Sequence, residues 1–266
     1  MFLSNLSIMG IINITPDSFS GEGLLKNGKV DMPLVLERAS QMVKDGATIL
    51  DIGGESTRPG AKNVPQDEEI ARTIPAIEAI RNALPDIPLS IDTRKPAVAA
   101  LALQAGVRIV NNVAGAETEK AMYDLLKAHP KAYLVLMHNG VAKDKDDGVE
   151  DIFDALDELA RAALEAGLER SQMILDPGLG FGKTGSQDLA LLHHLDRVVG
   201  MGLPVLVGPS RKSFIGTVLE GDAQNRLEGT AACVALAAFK GAHILRVHDV
   251  AFMAKVARMA AAIADS

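Results

Sequence analysis

The sequence predicts an α/β fold, a closed (β/α)8 TIM barrel with eight parallel strands, and three observations carry that expectation. The chain has 266 residues, 48% hydrophobic content and only 12 prolines, enough to bury a large core and close to the ~250 residues of a single-domain barrel. Short apolar runs alternate with helical stretches about eight times, which favours a parallel sheet wrapped by helices. Each run also ends in one or two polar groups: TILDIGG at 48–54, LSIDTR at 89–94, IVNN at 109–112 and ILRVHD at 244–249. In a barrel those endings gather at one rim, where active sites lie. The chain is therefore read as one domain over 1–266.

The sharpest of these endings is MILDPGLGFGK at 173–183. Met173, Ile174 and Leu175 read as a buried strand, and Asp176 emerges where Pro177, Gly178, Gly180 and Gly182 turn the backbone. The carboxylate is thus expected at a strand's carboxyl end, above a loop with few side chains to block a ligand.

In chain order, the first strand is expected at 7–13, delivering Asn13 to the rim, and the loop 14–23 is rich in Pro, Ser and Gly. Asp31 caps a helix to about residue 44, with Val35, Leu36, Ala39, Met42 and Val43 on one face. A strand at 47–53 leads into a polar loop to 64, a helix over 66–84 and a strand ending at Asp92. Helix 96–105, closed by Gly106, precedes strand 108–113, helix 119–129, strand 132–138 and helix 151–166. The last third reads as strand 173–176, helix 186–200, strand 204–208, helices near 211–219 and 225–239, strand 242–248 and helix 250–263.

An open doubly wound sheet fits less well. No G-x-G-x-x-G turn follows the first strand, and Pro177 stands where GPGLGFGKT-like spacing would need the first glycine of a phosphate loop. His193 and His194 are adjacent on a helix, and no H-E-x-x-H spacing exists, so every histidine except His248 reads as structural or surface. A net charge of −7 and a pI near 5.4 argue against nucleic acid or a membrane surface as partner. The single cysteine, Cys233, excludes an internal disulfide and reads as a small buried helix residue, not a nucleophile. No stretch reaches the ~18 apolar residues of a membrane span, and the start lacks a signal-peptide pattern; a cytoplasmic protein is expected.

At this point six motifs in order carry a resemblance: MGIINITPDSFS (9–20), DIGGESTRPGA (51–61), SIDTRKP (90–96), LDPGLGFGKT (175–184), GPSRKSFIG (208–216) and RVHDV (246–250). Over nearly its whole length the chain resembles the dihydropteroate synthases, pterin-binding barrel enzymes of folate synthesis. The resemblance implies condensation of a dihydropterin methyl diphosphate with 4-aminobenzoate, Mg²⁺ as cofactor, and a homodimer formed through late helices such as 230–239.

The residue chemistry agrees with that reaction. A pterin edge presents N–H donors beside a carbonyl, and Asp176, Asn111 and Lys212 supply the matching acceptors and donor. Asp92 is expected to stabilise the positive charge left when diphosphate departs. Taken singly, Asp92 or Asp176 would read as a helix cap or turn residue. Arg246 and His248 alternate with Val247, so in an extended strand both point one way, toward an anion. Ser213, at the helix start that follows Pro209, is the expected clamp for the aminobenzoate carboxylate, and Ser210 is expected to be able to cap that helix at the same time. By resemblance, Asn13 supports the metal and diphosphate, Met137, Phe181 and Gly208 line the pterin pocket, and Phe19, Thr57, Arg58 and Pro59 close over the amine site, Phe19 and Arg58 being counted with Asp92, Asp176 and Lys212 as catalytic.

Three departures from the family pattern stand out. SFSGEG replaces SFSDGG, moving a carboxylate from position 21 to Glu22. Asn111-Asn112 replaces Asn-Asp, and MHNG at 137–140 shortens the usual stretch. A methyltetrahydrofolate corrinoid methyltransferase shares barrel and pterin pocket but needs no diphosphate site, and a catalytically inactive pterin-binding protein is the third reading.

Overall fold

The structure, a computed structural model, describes residues 6–16, 24–26, 28–56, 63–113, 119–140, 148–221 and 226–266. Eight parallel strands form its centre. They are β1 (Ser7–Asn13), β4 (Ile49–Gly53), β5 (Leu89–Asp92), β6 (Ile109–Asn112), β7 (Tyr133–Met137), β8 (Met173–Asp176), β9 (Leu206–Val207) and β10 (Ile244–Val247). Their order is β8-β7-β6-β5-β4-β1-β10-β9. A further parallel bridge, Leu175 to Val205, together with the Leu175 N–H donating to the Pro204 carbonyl at 2.8 Å, joins β8 to the approach of β9 and nearly closes the ring. The barrel is thereby nearly closed, and its two end strands cover each other's edges.

Side-chain alternation splits the strands between two apolar layers. Met9, Ile49, Ile109, Val135, Ile174, Leu206 and Ile244 form one buried cluster, the filling of the barrel. Their neighbours Ile8, Leu50, Val110, Leu134, Met173, Leu175, Val207 and Leu245 belong to the larger cluster beneath the helices. This in-and-out pattern is what a strand's two-residue period dictates.

The helices are α1 (Met32–Lys44), α2 (Gln66–Ala83), α3 (Pro96–Gln104), α4 (Glu119–Lys127), α5 (Val149–Glu165), α6 (Gly185–His193), α7 (Leu195–Val199), α8 (Ser213–Leu219), α9 (Leu227–Phe239) and α10 (Val250–Ala264). Helix α1 begins as expected, with the Asp31 carboxylate accepting from the Leu34 N–H at 3.3 Å and Val35, Ala39 and Met42 buried. Thr184 caps α6 through a reciprocal capping box with Gln187, which satisfies two amide donors at once.

Three differences from the sequence expectation have physical causes. The expected helix 186–200 is two helices, because His194 leaves helical geometry (φ −104°, ψ 21°). Leu191, Leu192, Leu195 and Val198 are nevertheless all buried, so the apolar spacing runs through the break and hides it. A two-residue hairpin, β2 (Leu25–Lys26) with β3 (Lys29–Val30), is too short to leave a periodic signature. The helix expected from about 211 starts at Ser213, because Arg211 adopts a left-handed conformation, φ 59°. Cys233, expected to be buried, is half-buried on α9.

Candidate active site

Two residues beyond the apolar filling, the same alternation turns polar on four of the seven strands. Asp51, Asn111, Met137, Asp176, Gly208 and Arg246 follow Ile49, Ile109, Val135, Ile174, Leu206 and Ile244 by two positions each, so each occupies the inward parity of its strand. Register places Asp92 opposite Gly53 on one side and Asn111 on the other, with Met137 beside Asp176. The carboxyl end of the barrel therefore carries a layer that includes acids, an amide and a cation above a largely apolar floor.

Arg246 ties this layer together. Its Nε donates to Asp51 Oδ2 at 2.6 Å and its Nη2 to Asp92 Oδ2 at 2.5 Å, while Asn111 Nδ2 donates to Asp51 Oδ2 at 3.3 Å. Asp51 is wholly buried and Asp92 nearly so. One guanidinium thus faces two carboxylates, and the deficit shows in the protonation of Asp92. Burial pushes Asp92 up to about 7; Arg246 opposes the shift, and the Asp51 and Glu69 charges reinforce it. Burial works against the Arg246 charge too, but Asp51 and Asp92 outweigh it and raise its pKa.

The loop after β8 forms the next wall. Asp176 Oδ1 accepts from the Gly178 N–H at 2.7 Å, so Asp176 also performs the turn role that a lone aspartate there would suggest. Burial still raises its pKa, against the Gly178 N–H and the Lys212 charge. Asp188, buried on α6, accepts from the Gly180 N–H at 2.7 Å. The Lys212 ammonium lies 4.0 Å from the centre of the Phe181 ring, a cation–π contact. Burial lowers Lys212 to about 8, Asp176 resisting and Arg246 adding to the shift. Arg246 is thus bonded to Asp92, and the charges of Asp176, Arg246 and Asp92 all act on Lys212.

The turn before α8 departs from its expected role. Ser210 does not cap the helix: its hydroxyl lies 2.9 Å from His248 Nδ1 and accepts from the His248 N–H at 3.2 Å. Strand β10 ends at Val247, so His248 answers to Ser210 and is no longer bound by the strand's alternation with Arg246. Arg211 makes a two-pronged ion pair with Asp249 at 3.0 and 2.6 Å. Lys212 occupies the N-cap position of α8 with no side-chain cap bond, and Ser213, exposed, is its first residue. Asp92 does not cap α3 either, where Thr93 Oγ1 accepts from the Lys95 N–H at 3.1 Å. Phe19, Thr57, Arg58 and Pro59, with Gly21 and Glu22, lie outside the described residues. Glu55, just before that second segment, accepts from Lys95 at 2.5 Å, from Arg94 at 2.7 Å and from the Val64 N–H at 3.2 Å.

A family model described as "Pterin binding enzyme" matches residues 9–248. The chain belongs to the pterin-binding enzyme family. It is 45% identical over 252 residues to a dihydropteroate synthase of Bacillus subtilis (strain 168), covering 95% of this chain and 86% of that one. Among solved structures, a dihydropteroate synthase from Clostridium difficile, determined in the presence of pteroic acid, superposes with a TM-score of 0.89 at 41% identity, covering 98% of this chain and 97% of that one. A Xanthomonas albilineans dihydropteroate synthase with 4-aminobenzoic acid gives a TM-score of 0.89 at 38% identity, covering 98% and 94%.

Three groups of this pterin-binding enzyme, Asp51, Lys183 and Asp188, are not among the candidates that the sequence motifs point to. Asp51 was legible in principle, since Ile49, Asp51 and Gly53 share one strand face. Lys183 and Asp188 act through main-chain atoms of a loop, which no side-chain pattern announces. For a divalent ion, no cluster of three acids or histidines suited to a metal exists among the described residues. Asn13 Oδ1 and Asp92 Oδ2 border one point, 3.5 and 3.9 Å from where a Cβ on Gly53 would sit. One amide oxygen beside one carboxylate fits Mg²⁺ held mainly by water and phosphate oxygens.

Proposed function

We propose that this chain is a dihydropteroate synthase, joining a (7,8-dihydropterin-6-yl)methyl diphosphate to 4-aminobenzoate with release of diphosphate, and that residues 1–266 act as one pterin-binding domain. The observation that carries the reading is the Arg246 cluster, which gathers pterin-edge groups and an anion-binding cation at one mouth. It fits the family membership and the ligands of the two structural relatives.

Asp176 and Asn111 accept and donate along the pterin edge, Lys212 donates to its carbonyl, and Met137, Phe181 and Gly208 wall the ring. As the methylene C–O bond breaks, both its electrons leave with the diphosphate and positive charge spreads into the ring. The Asp92 carboxylate opposes that charge in a site floored by apolar side chains, where preorganised charge acts strongly. Arg246 donates through Nε and Nη2 to Asp51 and Asp92, which among the described residues leaves Nη1 for the diphosphate, and His248, held by Ser210, is the second group assigned to that anion. The aniline nitrogen, largely unprotonated at neutral pH, needs positioning more than a base; it forms the C–N bond and then releases a proton. Ser213 receives the aminobenzoate carboxylate, and Phe19, Thr57, Arg58 and Pro59 shield the cation from water. Asn13 would hold Mg²⁺, which when bound neutralises charge on the departing diphosphate.

Leu236, Phe239, Phe252, Met259 and Ile263 of α9 and α10 are exposed, which supports a homodimer through these late helices. Among the described residues no helix is long and apolar enough to cross a membrane, in keeping with a cytoplasmic placement. The test is turnover: the chain with both substrates and Mg²⁺ should release one diphosphate per dihydropteroate formed. Binding of the pterin without any product in the presence of 4-aminobenzoate would overturn the enzymatic reading.

A further inference from the structure

Lys183 is a half-buried lysine with no carboxylate at ion-pair distance among the described residues. Its ammonium instead donates to three main-chain carbonyls: His138 at 3.1 Å, Gly178 at 2.9 Å and Phe181 at 3.2 Å. Three N–H donors meeting three carbonyls use the ammonium's full capacity. Two of those carbonyls belong to the loop after β8 and the third to the end of β7, so one cation bridges two adjacent walls of the mouth.

The loop is held in a complementary way. Its amides at Gly178 and Gly180 donate to Asp176 and Asp188, each at 2.7 Å, and its carbonyls at Gly178 and Phe181 accept from Lys183. Gly178, Gly180 and Gly182 all have left-handed φ, between 71° and 74°, a conformation that costs little for glycine. Packing leaves no slack: a Cβ on Gly178 would stand 2.0 Å from the His138 carbonyl oxygen, one on Gly182 2.8 Å from Gly140, and one on Gly180 2.9 Å from Lys212 Cδ. Phe181, between these glycines, lies against the Lys212 ammonium.

We propose that Lys183 is a positioning residue for the pterin pocket, an internal cation whose carbonyl cage holds the 177–182 loop so that Asp176 and the Phe181–Lys212 pair face the pterin together. It touches neither substrate. Burial lowers its pKa to about 8, with Asp176 and Asp188 resisting, so the cage holds a charged ammonium at neutral pH. The inference rests on the pterin reading of the site.

The test uses the full-length variants Lys183→Ala and Lys183→Met, the latter filling most of the lost volume if the former folds poorly. Pterin diphosphate affinity should fall by about ten- to a hundredfold, the scale of a small misplacement of binding groups, while the KM for 4-aminobenzoate stays within about twofold. Propylammonium, which replaces the atoms missing in Lys183→Ala, should restore pterin affinity near neutral pH, and 1-propanol, of equal length and no charge, should not. Unchanged pterin affinity in both variants, equal losses for the two substrates, or equal rescue by the alcohol would each overturn the proposal. The wild-type chain, titrated alongside, reports separately: its failure to bind the pterin would sink the pterin reading and this inference with it, whereas normal wild-type binding with unaltered variants would sink the inference alone.

Discussion

Replacing Arg246 with Met removes the only cation bonded to both Asp51 and Asp92 among the described residues, and the consequence for stability follows from the geometry. At an effective dielectric near 20 and a charge separation near 4 Å, each of the two pairs contributes about 4 kcal/mol of attraction before desolvation is counted. Breaking a buried pair from one side typically costs about 3–5 kcal/mol, because the partner is left charged and unpaired. Arg246 is 20% exposed, Asp51 0% and Asp92 6% by side chain, so solvent relieves little of that cost. The expected loss is therefore about 3–5 kcal/mol in urea unfolding of the ligand-free protein near pH 8.5.

The pH dependence gives the sharper test. Asp92 in the folded wild type titrates at about 7, against 3.8 for an ordinary aspartate. The folded state thus binds the extra proton, and the Asp92 contribution to wild-type stability falls as pH rises from about 4 to 7 and then levels off. Without Arg246 the Asp92 pKa moves higher still, so the deficit of the variant relative to the wild type keeps growing as pH rises above 7. Near pH 6 Asp92 is protonated in both proteins, and the deficit should shrink to roughly half, the part due to Asp51. A loss below about 1 kcal/mol, or one independent of pH, would refute the shared-cation reasoning.

Three further outcomes are expected. Gly178→Ala should cost well over the ~1 kcal/mol of a left-handed alanine, because its Cβ meets the His138 carbonyl oxygen at 2.0 Å, whereas Gly28→Ala, equally left-handed at φ 75° but with nothing within 4 Å, should cost only about 1 kcal/mol; equal costs in thermal unfolding would remove the steric argument. Asp92→Asn should flatten the wild-type fall in stability between about pH 4 and 7 and lower kcat about a hundredfold or more; an unchanged pH profile would show that another group titrates. Sulfonamides, which resemble 4-aminobenzoate, should inhibit competitively against it, and undiminished turnover at saturating drug would show that the segment around Gly21 and Glu22 discriminates between the two.

Much of the fold was legible because the barrel writes itself twice in each strand. The apolar run announces the strand, and the polar residue at its end announces the rim, as Asp92, Asn111, Asp176 and Arg246 each do. The same alternation, carried one strand further, would have found Asp51, whose partner Arg246 is 195 residues away in sequence. What escaped the reading depends on backbone geometry. The left-handed Arg211 shortens α8, His194 divides one apolar stripe between two helices, and Ser210 is drawn away from a cap by His248. Lys183 was hidden for a related reason: its partners are carbonyls, which every residue has, and only the folded loop gathers three of them around one ammonium.

The most direct test of the central claim, one mouth for both the heterocycle and its phosphorylated tail, is a calorimetric titration of wild type and Asp176→Asn with the pterin diphosphate in the presence of Mg²⁺. One ligand per chain should bind to the wild type, inorganic diphosphate should compete with it, and Asp176→Asn should weaken the pterin diphosphate by about ten- to a hundredfold while leaving diphosphate affinity unchanged. Equal affinity of both proteins for the pterin diphosphate, or diphosphate binding that does not exclude it, would contradict the account.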